Sequence, residues 1–438
     1  MIEGNDLFGK TIRCSCGRTH QITPNHVDYE EDAISRMPGT LSGLNSGRRL
    51  AVIMDARTRA AAGKGIVERF KANDWQVHET LVPDSADGAS PVCDDGTKEK
   101  LESEIPEQDV LIPVGGGVIT DLGKWIAFDR GIPFVAFATA ASMNGYASAN
   151  VAPTLKGIKS LIRARPPEAI FSRPSVLGDA PWELTASGLG DIIAKSVSSA
   201  DWFLNHFLFG DFFCERSVGL IADVEPLYFD HPEALNAGDK GAIRALFMGL
   251  LLTGVSMTMA ESSAPSSGGE HMVSHTLDMM SDMDGIPHDL HGRQVGIGTI
   301  LASELYRRVL DTDSPDWKAP LESTDISFWG HLSGNIQEQY GLKQERLRKA
   351  REVLSRGNQW DELRSRIRPM LRAPGDVKGC LQRAGAAYRA EDIGCNKERI
   401  LAAFRHAHEI RSRFTVLDLA HLFGIMPRAA EEIVEEWV

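Results

Sequence analysis

The sequence predicts a two-part fold, in which an N-terminal α/β domain with a parallel sheet (residues 1–180) precedes an all-α C-terminal domain (residues 181–438). In the first half, short apolar runs alternate with helix-length segments, the pattern of a parallel sheet covered by helices on both faces. After residue 181 the pattern is helical almost to the end. Between the two parts, residues 164–184 carry four prolines, which predict an irregular boundary.

The elements of the α/β part follow from its apolar runs. Continuous Val- and Ile-rich runs bounded by polar residues indicate buried strands, and Ala-rich segments with helical periodicity indicate helices. The predicted strands are 49–55, 75–82, 109–114 and 132–139, and helices are predicted over 56–72 and 118–129. A strand–helix alternation of this kind is typical of Rossmann-like nucleotide-binding domains.

Composition excludes several classes of protein. The 60 acidic and 47 basic residues give a formal charge of −13, which argues against a nucleic-acid binder, since such a protein needs a basic surface. Hydrophobic and charged contents of 42% and 24% are those of a globular protein. Six cysteines are too few for a disulfide framework, so we expect a reducing, cytoplasmic location.

No membrane insertion is predicted. The most apolar uncharged run, 245–260, is shorter than the roughly 20 residues that a helix needs to span a bilayer, and it predicts a buried helix instead. The first ten residues lack the apolar core of a signal peptide. The sequence leaves the oligomeric state open, with a homodimer as the base-rate expectation.

A glycine run predicts a phosphate-binding loop. Gly115, Gly116 and Gly117 follow a strand and precede a helix, where glycine lets the backbone approach a diphosphate and the helix N-terminus supplies free N–H groups. The alternative is a tight turn that needs positive φ angles. Asp121, in the first turn of that helix, suits a cofactor contact and a favourable interaction with the helix dipole equally well.

Two further positions lie where parallel strands end. Asp55 closes the first strand, where a carboxylate either accepts from ribose hydroxyls or caps the following helix. An acid there would repel a 2′-phosphate, so Asp55 favours NADH over NADPH. The small and hydroxyl residues 139–142 follow the fourth strand, at the edge of the sheet where ligands bind in this class of fold.

The second half contains a metal-ligand pattern. Asp191 begins an apolar helical segment, His271 and His275 are spaced i, i+4 on one helix face, and His288 and His291 follow shortly after. One carboxylate with two imidazoles suits Zn²⁺, Ni²⁺ or Fe²⁺ and leaves positions open for a substrate. The alternative is a group of surface or structural core histidines.

The N-terminal segment CSCGRTH carries two cysteines and one histidine, Cys14, Cys16 and His20, which resemble half of a metal site. No second pair follows at a suitable spacing, so the segment predicts a hairpin.

Several segments together resemble one family. VGGGVITDLGKWIA, IPFVAFATAASMNGYAS, GLGDIIAKSVSSADW, SGGEHMVSHTLDM and LHGRQVGIGT resemble the sn-glycerol-1-phosphate dehydrogenases, within the iron-containing alcohol dehydrogenase and dehydroquinate synthase-like superfamily. The resemblance extends over residues 14–424 in matching order. It implies a two-domain enzyme with its active site in the interdomain cleft, which uses NADH or NADPH and a divalent metal to reduce dihydroxyacetone phosphate to sn-glycerol 1-phosphate.

The resemblance also implies roles for individual residues. Asp191, His271 and His291 match the metal ligands, His275 and Asp191 are the catalytic candidates, and Asn144, Asp191 and His275 are substrate-binding candidates. The loop cations Lys159 and Arg163 are candidates for binding the substrate phosphate, and the alternative is that both are solvated. Together with the reasoning from the residues, the predicted cofactor-binding set is Asp55, Gly115, Gly116, Gly117, Val118, Ile119, Thr120, Asp121, Thr139, Ala140, Ala141, Ser142 and Ser148.

Two departures from the family pattern leave alternatives open. Asn144 stands where the family has an aspartate, so the side chain keeps its hydrogen-bonding capacity but loses its charge. Arg293 stands where members often carry an acid, and it either attracts an anionic substrate or pairs on the surface. The alternatives are a related alcohol dehydrogenase with another substrate, a sugar-phosphate cyclase, or a dinucleotide-binding relative of low activity. A role in phospholipid metabolism is one option for the product.

Overall fold

The computed structural model describes residues 7–44, 47–85, 90–156 and 158–438; the signal-peptide prediction lies partly outside them. The strands are β1 (Thr11–Arg13), β2 (Thr19–Gln21), β3 (His26–Tyr29), β4 (Arg49–Met54), β5 (Gln76–Leu81), β6 (Val110–Gly115), β7 (Val135–Ala138), β8 (Asn150–Val151), β9 (Thr154–Leu155), β10 (Ile158–Lys159), β11 (Ile162–Arg163) and β12 (Ala169–Ser172).

The helices of the first half are α1 (Ala33–Leu44), α2 (Ala56–Thr58), α3 (Lys64–Lys71), α4 (Asp95–Glu104), α5 (Gly117–Asp129) and α6 (Pro174–Gly178). Those that follow are α7 (Trp182–Ile193), α8 (Lys195–Phe209), α9 (Glu215–Val218), α10 (Glu225–Phe229), α11 (Glu233–Asn236), α12 (Lys240–Ala260), α13 (Gly269–Asp284), α14 (His291–Leu310), α15 (Ile326–Trp329), α16 (Ser333–Gly341), α17 (Gln344–Leu354), α18 (Gln359–Ile367), α19 (Pro374–Ala384), α20 (Lys397–His406), α21 (Val416–Leu422) and α22 (Arg428–Trp437). The predicted fold class, a parallel-sheet α/β region followed by a helical region, is confirmed.

The main sheet has six parallel strands in the order β3-β12-β7-β6-β4-β5. Its strands are buried on both faces, as the continuous apolar runs predict, with Val52, Ile112, Phe137 and Phe171 fully inaccessible. From β4 the chain proceeds to β5 on one side, and then to β6, β7 and β12 on the other. The strand order therefore reverses between β4 and β6. In open α/β sheets, ligands bind beyond the carboxyl ends of the strands at the position of such a reversal.

The proline-rich segment is where the sequence prediction was wrong. Residues 169–172 form β12, an interior strand that pairs with β3 and β7 and is completely buried. Because Pro166 and Pro167 precede the strand and Pro174 opens α6, no proline removes a hydrogen bond from the ladder itself. The edge strand β3 was also not predicted.

Contacts divide the chain into two compact units: Met1–Gly188 with Gly219–Ser262, and Leu189–Val218 with Ser263–Val438. The units are discontinuous in sequence, whereas the sequence suggested a single boundary after residue 180. In the first unit, α12 packs against the turn 144–147, where a Cβ on Gly254 would lie 2.6 Å from the Asn144 carbonyl oxygen. The predicted buried helix is confirmed, because α12 is long and apolar enough to cross a membrane but nearly all of its most apolar window is buried.

Candidate functional site

Three helical segments within the second unit bring three metal-binding side chains together. Asp191 lies near the end of α7, His271 in the first turn of α13, and His291 is the first residue of α14. Their ligand atoms all lie within 4.8 Å of one another, and His271 Nε2 is 3.4 Å from Asp191 Oδ1. Asp191 and His271 are almost inaccessible to solvent. The structure therefore gathers the three residues that the sequence predicted as a metal-ligand set.

Glycines allow these helices to approach so closely. A Cβ on Gly190, beside Asp191, would lie 2.0 Å from the main-chain oxygen of Gly292, which follows His291. A Cβ on Gly298 in α14 would lie 2.3 Å from the main-chain oxygen of Glu270, which precedes His271. No side chain fits at either point, so backbone contacts fix the three ligand-bearing segments relative to one another.

Neighbouring polar groups hold the two imidazoles in place. Glu270 Oε1 accepts from His271 Nδ1 at 2.8 Å, and Ser274 Oγ lies 3.1 Å from His291 Nδ1. Burial opposes the charged imidazolium of His271, but the carboxylates of Asp191 and Glu270 outweigh it and raise the pKa of His271 to about 9. Two carboxylates around one buried imidazole thus create a site that favours a cation.

A second set shares one of these ligands: His275, Asp278 and His291 also have ligand atoms within 4.8 Å of one another. Asp278, however, is already engaged, because Oδ1 accepts from the Gln294 amide at 2.9 Å and lies 3.5 Å from His288 Nδ1. The set with Asp191 is therefore the better candidate. His275 lies beside it, its ring stacked on His291 at 5.3 Å between centroids.

Two nearby cations have structural partners. Arg293 Nε donates to Asp289 at 3.0 Å, and its guanidinium also donates to the Asp392 carbonyl. This geometry favours the pairing interpretation of Arg293 over attraction of a substrate. Lys195 is buried one turn after Asp191 and donates from Nζ to the Pro265 carbonyl at 3.1 Å, a contact that links α8 to the segment before α13.

The predicted cofactor loops of the first unit flank the point where the strand order reverses. Asp55 follows β4 and caps α2, since its Oδ1 accepts from the Thr58 N–H at 2.7 Å. The capping interpretation is thus satisfied, while its other oxygen lies 3.4 Å from Arg57. A role for Asp55 in ribose binding stays a prediction.

The glycine run begins α5 without a side-chain cap. Gly116 is the N-cap residue with φ −82°, and none of the three glycines adopts a positive φ, so a left-handed turn does not explain them. Close packing explains Gly115, whose Cβ would meet Ile119 at 2.5 Å. The nearest atom to a Cβ on Gly116 is Ser142 Oγ at 3.5 Å, so there is space beside Gly116, and the first-turn N–H groups of 117–119 have no acceptor within the helix.

The loop after β7 is tied to the glycine loop. Thr139 N–H donates to the Gly115 carbonyl at 3.3 Å, and the buried Tyr146 hydroxyl donates to the Ala140 carbonyl at 2.8 Å. Ser142 Oγ lies 3.5 Å from that hydroxyl, and a Cβ on Gly188 would lie 1.9 Å from the Ala141 carbonyl oxygen. The predicted residues 139–142 therefore form one fixed wall next to Gly115–Gly117.

A buried lysine supports the segment that carries Asn144 and Ser148. Lys124 of α5 donates from Nζ to the Gly145 carbonyl at 2.6 Å, to Ser148 Oγ at 3.2 Å and to the Asn150 carbonyl at 3.0 Å. Burial lowers the pKa of the Lys124 ammonium, and Asp121, 3.5 Å away, opposes that shift. Asp121 also accepts from the Ala152 N–H at 3.2 Å, so it orders this segment whether or not it contacts a cofactor.

Lys159 lies in β10 of a short hairpin with β9 and is half-buried, whereas Arg163, in β11, is exposed. Sequence reasoning did not identify Lys124, Tyr146, Glu270 or Ser274. The sequence features that could have identified three of them are a lysine on the apolar face of a helix, a polar residue next to His271 and a polar residue next to His275.

Comparisons with known proteins agree with this geometry. Residues 28–181 match the family model described as iron-containing alcohol dehydrogenase. Glycerol-1-phosphate dehydrogenase [NAD(P)+] of Pyrococcus furiosus is 34% identical over 285 residues, 65% of this chain and 79% of the relative. The protein of the same name from Bacillus velezensis is 29% identical over 368 residues, 84% of each chain.

The fold is also that of a solved structure, glycerol dehydrogenase from Schizosaccharomyces pombe. The TM-score is 0.61 at 15% identity, and the match covers 95% of this chain and 92% of that one. The chain belongs to the glycerol-1-phosphate dehydrogenase family, a family of oxidoreductases.

Proposed function

We propose that the protein is a metal-dependent NAD(P)H oxidoreductase that reversibly reduces dihydroxyacetone phosphate to sn-glycerol 1-phosphate. The observation that carries this proposal is the convergence of Asp191, His271 and His291 in a chain whose relatives are named glycerol-1-phosphate dehydrogenases. A cytoplasmic location is part of the proposal, since the dinucleotide and the ketose phosphate are intracellular metabolites.

The donor set suits a divalent cation. Asp191 supplies an oxygen and the histidines two nitrogens, a combination that binds Zn²⁺, Ni²⁺ or Fe²⁺. The contact from Glu270 to His271 Nδ1 leaves Nε2 directed toward Asp191, as expected of a ligand whose other ring nitrogen is held by a carboxylate. When bound, such a cation polarises the ketone carbonyl and stabilises the negative charge that develops on its oxygen.

The first unit suits a dinucleotide. The uncapped start of α5 offers main-chain N–H groups to a diphosphate, and Gly116 leaves room for it. The wall 139–142, fixed by Tyr146, would line the cofactor, whose reduced nicotinamide supplies the hydride. Asp55 favours a dinucleotide without a 2′-phosphate, in line with NADH.

The remaining candidates act on the substrate. Reduction adds a hydride to the carbonyl carbon and a proton to its oxygen, and His275, nearly buried beside His291, is the candidate that brings this proton from a ring nitrogen. Asn144 is the candidate for orienting a substrate hydroxyl. The Lys159 ammonium is the candidate that binds the phosphate.

The test is oxidation of NADH with dihydroxyacetone phosphate, measured before and after chelation and after separate addition of Zn²⁺ and Ni²⁺. We expect turnover that disappears on chelation, returns with metal, and yields the sn-1 enantiomer of glycerol phosphate. Metal-independent turnover would contradict the assigned site. NADH binding without turnover on any ketose phosphate would instead identify a weakened relative, and substrate conversion without net NADH consumption would identify a cyclase.

A further inference from the structure

The N-terminal hairpin gathers three metal-binding side chains that the proposed reaction does not use. Strands β1 and β2 pair antiparallel in the register Arg13–Thr19, and the turn between them contains Cys14 and Cys16. His20, on β2, is almost completely buried. The predicted hairpin is therefore confirmed, and it places both thiols and the imidazole on one small element.

The distances suit a single cation. The ligand atoms of Cys14, Cys16 and His20 lie within 4.8 Å of one another, and Cys16 Sγ is 3.2 Å from His20 Nε2. A tetrahedral zinc ion with Zn–S of about 2.3 Å and Zn–N of about 2.1 Å separates a sulfur from a nitrogen by about 3.6 Å, and two sulfurs by about 3.8 Å. Small side-chain adjustments would therefore complete the coordination.

The conformation of the turn brings Cys14 and Cys16 close together. The Gly17 N–H donates to the Cys14 carbonyl at 3.1 Å, and the Cys14 N–H donates to the Arg18 carbonyl at 3.0 Å. Gly17 has φ +85°, a conformation that other residues rarely adopt, so the chain reverses within four residues. Neither cysteine forms a disulfide.

The charge of the N-terminal segment and the small size of its two strands both favour a bound metal. The segment 7–27 contains Lys10, Arg13 and Arg18 but no acidic residue, so its positive charges would offset the negative charge of two zinc-bound thiolates. The strands of the hairpin have three residues each, and a two-stranded element of this size is marginal without support. A bound metal would supply that support.

We propose that Cys14, Cys16 and His20 bind a structural zinc ion, separate from the proposed catalytic metal. Two sulfurs and one imidazole supply three of the four donors of a Cys₂His₂ or Cys₃His structural zinc site, and another side chain or a water would complete the tetrahedron. The two metals differ in chemistry, because the set with Asp191 contains no sulfur. A spectroscopic probe of metal–sulfur bonds therefore distinguishes them without any assay of turnover.

The experiment adds Co²⁺ to the reduced, metal-stripped protein and records sulfur-to-Co²⁺ charge-transfer absorption in the near ultraviolet. We expect a saturable band in the wild type and in Asp191→Asn, most of it lost in Cys14→Ser and in Cys16→Ser, and weaker Co²⁺ binding in His20→Ala. Cys395→Ser, also at a half-buried cysteine, is the matched control and should keep the band. Loss of the band in Cys93→Ser, Cys214→Ser or Cys380→Ser would name the fourth ligand, and retention in all three would indicate water.

Absence of the band in the wild type would overturn the proposal, and so would a band that survives both Cys14→Ser and Cys16→Ser. A thiol count on the protein as purified adds a second test. Two thiols should react slowly with a thiol reagent until a chelator is added. Rapid reaction of both thiols without a chelator would contradict a bound zinc ion and would mean that the contact between Cys16 and His20 is a hydrogen bond without a metal. Circular dichroism and NADH binding check that each variant is folded.

Discussion

The candidate sites of the two units consist of different chemical groups. At the carboxyl edge of its sheet, the first unit offers main-chain N–H groups, glycines and small side chains around Gly115–Gly117. The second unit offers ionisable side chains: Asp191, His271 and His291 with Glu270 beside them. A site made of backbone is sensitive to added volume, whereas a site made of charged groups is sensitive to lost charge. Substitutions of matched size test this difference.

Asp191→Asn should have the largest effect. The change keeps the volume but removes the charged metal ligand, so we expect loss of bound metal and a fall in kcat on the order of 10²–10³-fold, with NADH binding retained. Metal analysis, steady-state kinetics and NADH titration measure the three quantities. Asp278→Asn is the matched control, since Asp278 is already engaged by Gln294, and it should keep its metal. Loss of metal in Asp278→Asn alone would favour the set of His275, Asp278 and His291.

Glu270→Gln should weaken the same site through His271. The amide no longer supplies a negative charge to the imidazole, so we expect metal affinity to fall about 10–100-fold. A smaller fall in kcat than in affinity, with turnover recovered at high metal concentration, would identify a positioning role. A fall in kcat that persists in full at saturating metal concentration would contradict the positioning role.

The sequence predicted these two sites unequally. Four strands and the helix after the glycine run follow from apolar runs, because both faces of a parallel sheet are buried. The ligand set was harder, since Asp191 lies far along the chain from His271. The residues indicate one carboxylate with two of four histidines, and the family resemblance selects His271 and His291. Gly190 and Gly298 give no local sign that they touch Gly292 and Glu270, because such contacts arise only when helices pack.

The same limit applies to β12 and to the supporting residues. A proline-rich segment predicts irregular structure, and only the paired neighbours β3 and β7 reveal that residues 169–172 continue the sheet between the prolines. Lys124 was overlooked because two of its partners are the main-chain carbonyls of Gly145 and Asn150, and a main-chain partner leaves no mark in the sequence.

In the first unit, Gly115→Ala and Gly116→Ala should differ. A methyl group at 115 would clash with Ile119 at 2.5 Å, so we expect a loss of about 1–3 kcal/mol in the free energy of unfolding. The same change at 116 meets nothing closer than 3.5 Å, so stability should hold while KM for NADH rises. Thermal or denaturant unfolding and kinetics with varied NADH separate the outcomes. Unchanged KM in Gly116→Ala would argue against a diphosphate at this loop.

Asn144→Asp tests the departure from the family pattern. If Asn144 orients a substrate hydroxyl, a charged acceptor should strengthen that hydrogen bond by about 1 kcal/mol and raise kcat/KM for dihydroxyacetone phosphate about fivefold. Competition among several ketose phosphates measures the change. A lower value for dihydroxyacetone phosphate together with a higher value for another ketone would indicate that Asn144 suits a different substrate.

The smallest expected effect is a proton released when metal binds. Because Asp191 and Glu270 raise the pKa of His271 to about 9, above its ordinary value, the ring carries a proton below that pH and must lose it to bind a cation. Metal affinity should therefore rise about tenfold per pH unit from about pH 7 toward pH 9 and then level off. Calorimetry in buffers of different ionisation enthalpy detects the proton at about pH 7.5. Glu270→Gln removes one of the two carboxylates and should shift the plateau to lower pH, whereas an unchanged profile would mean that Asp191 alone sets the protonation of His271.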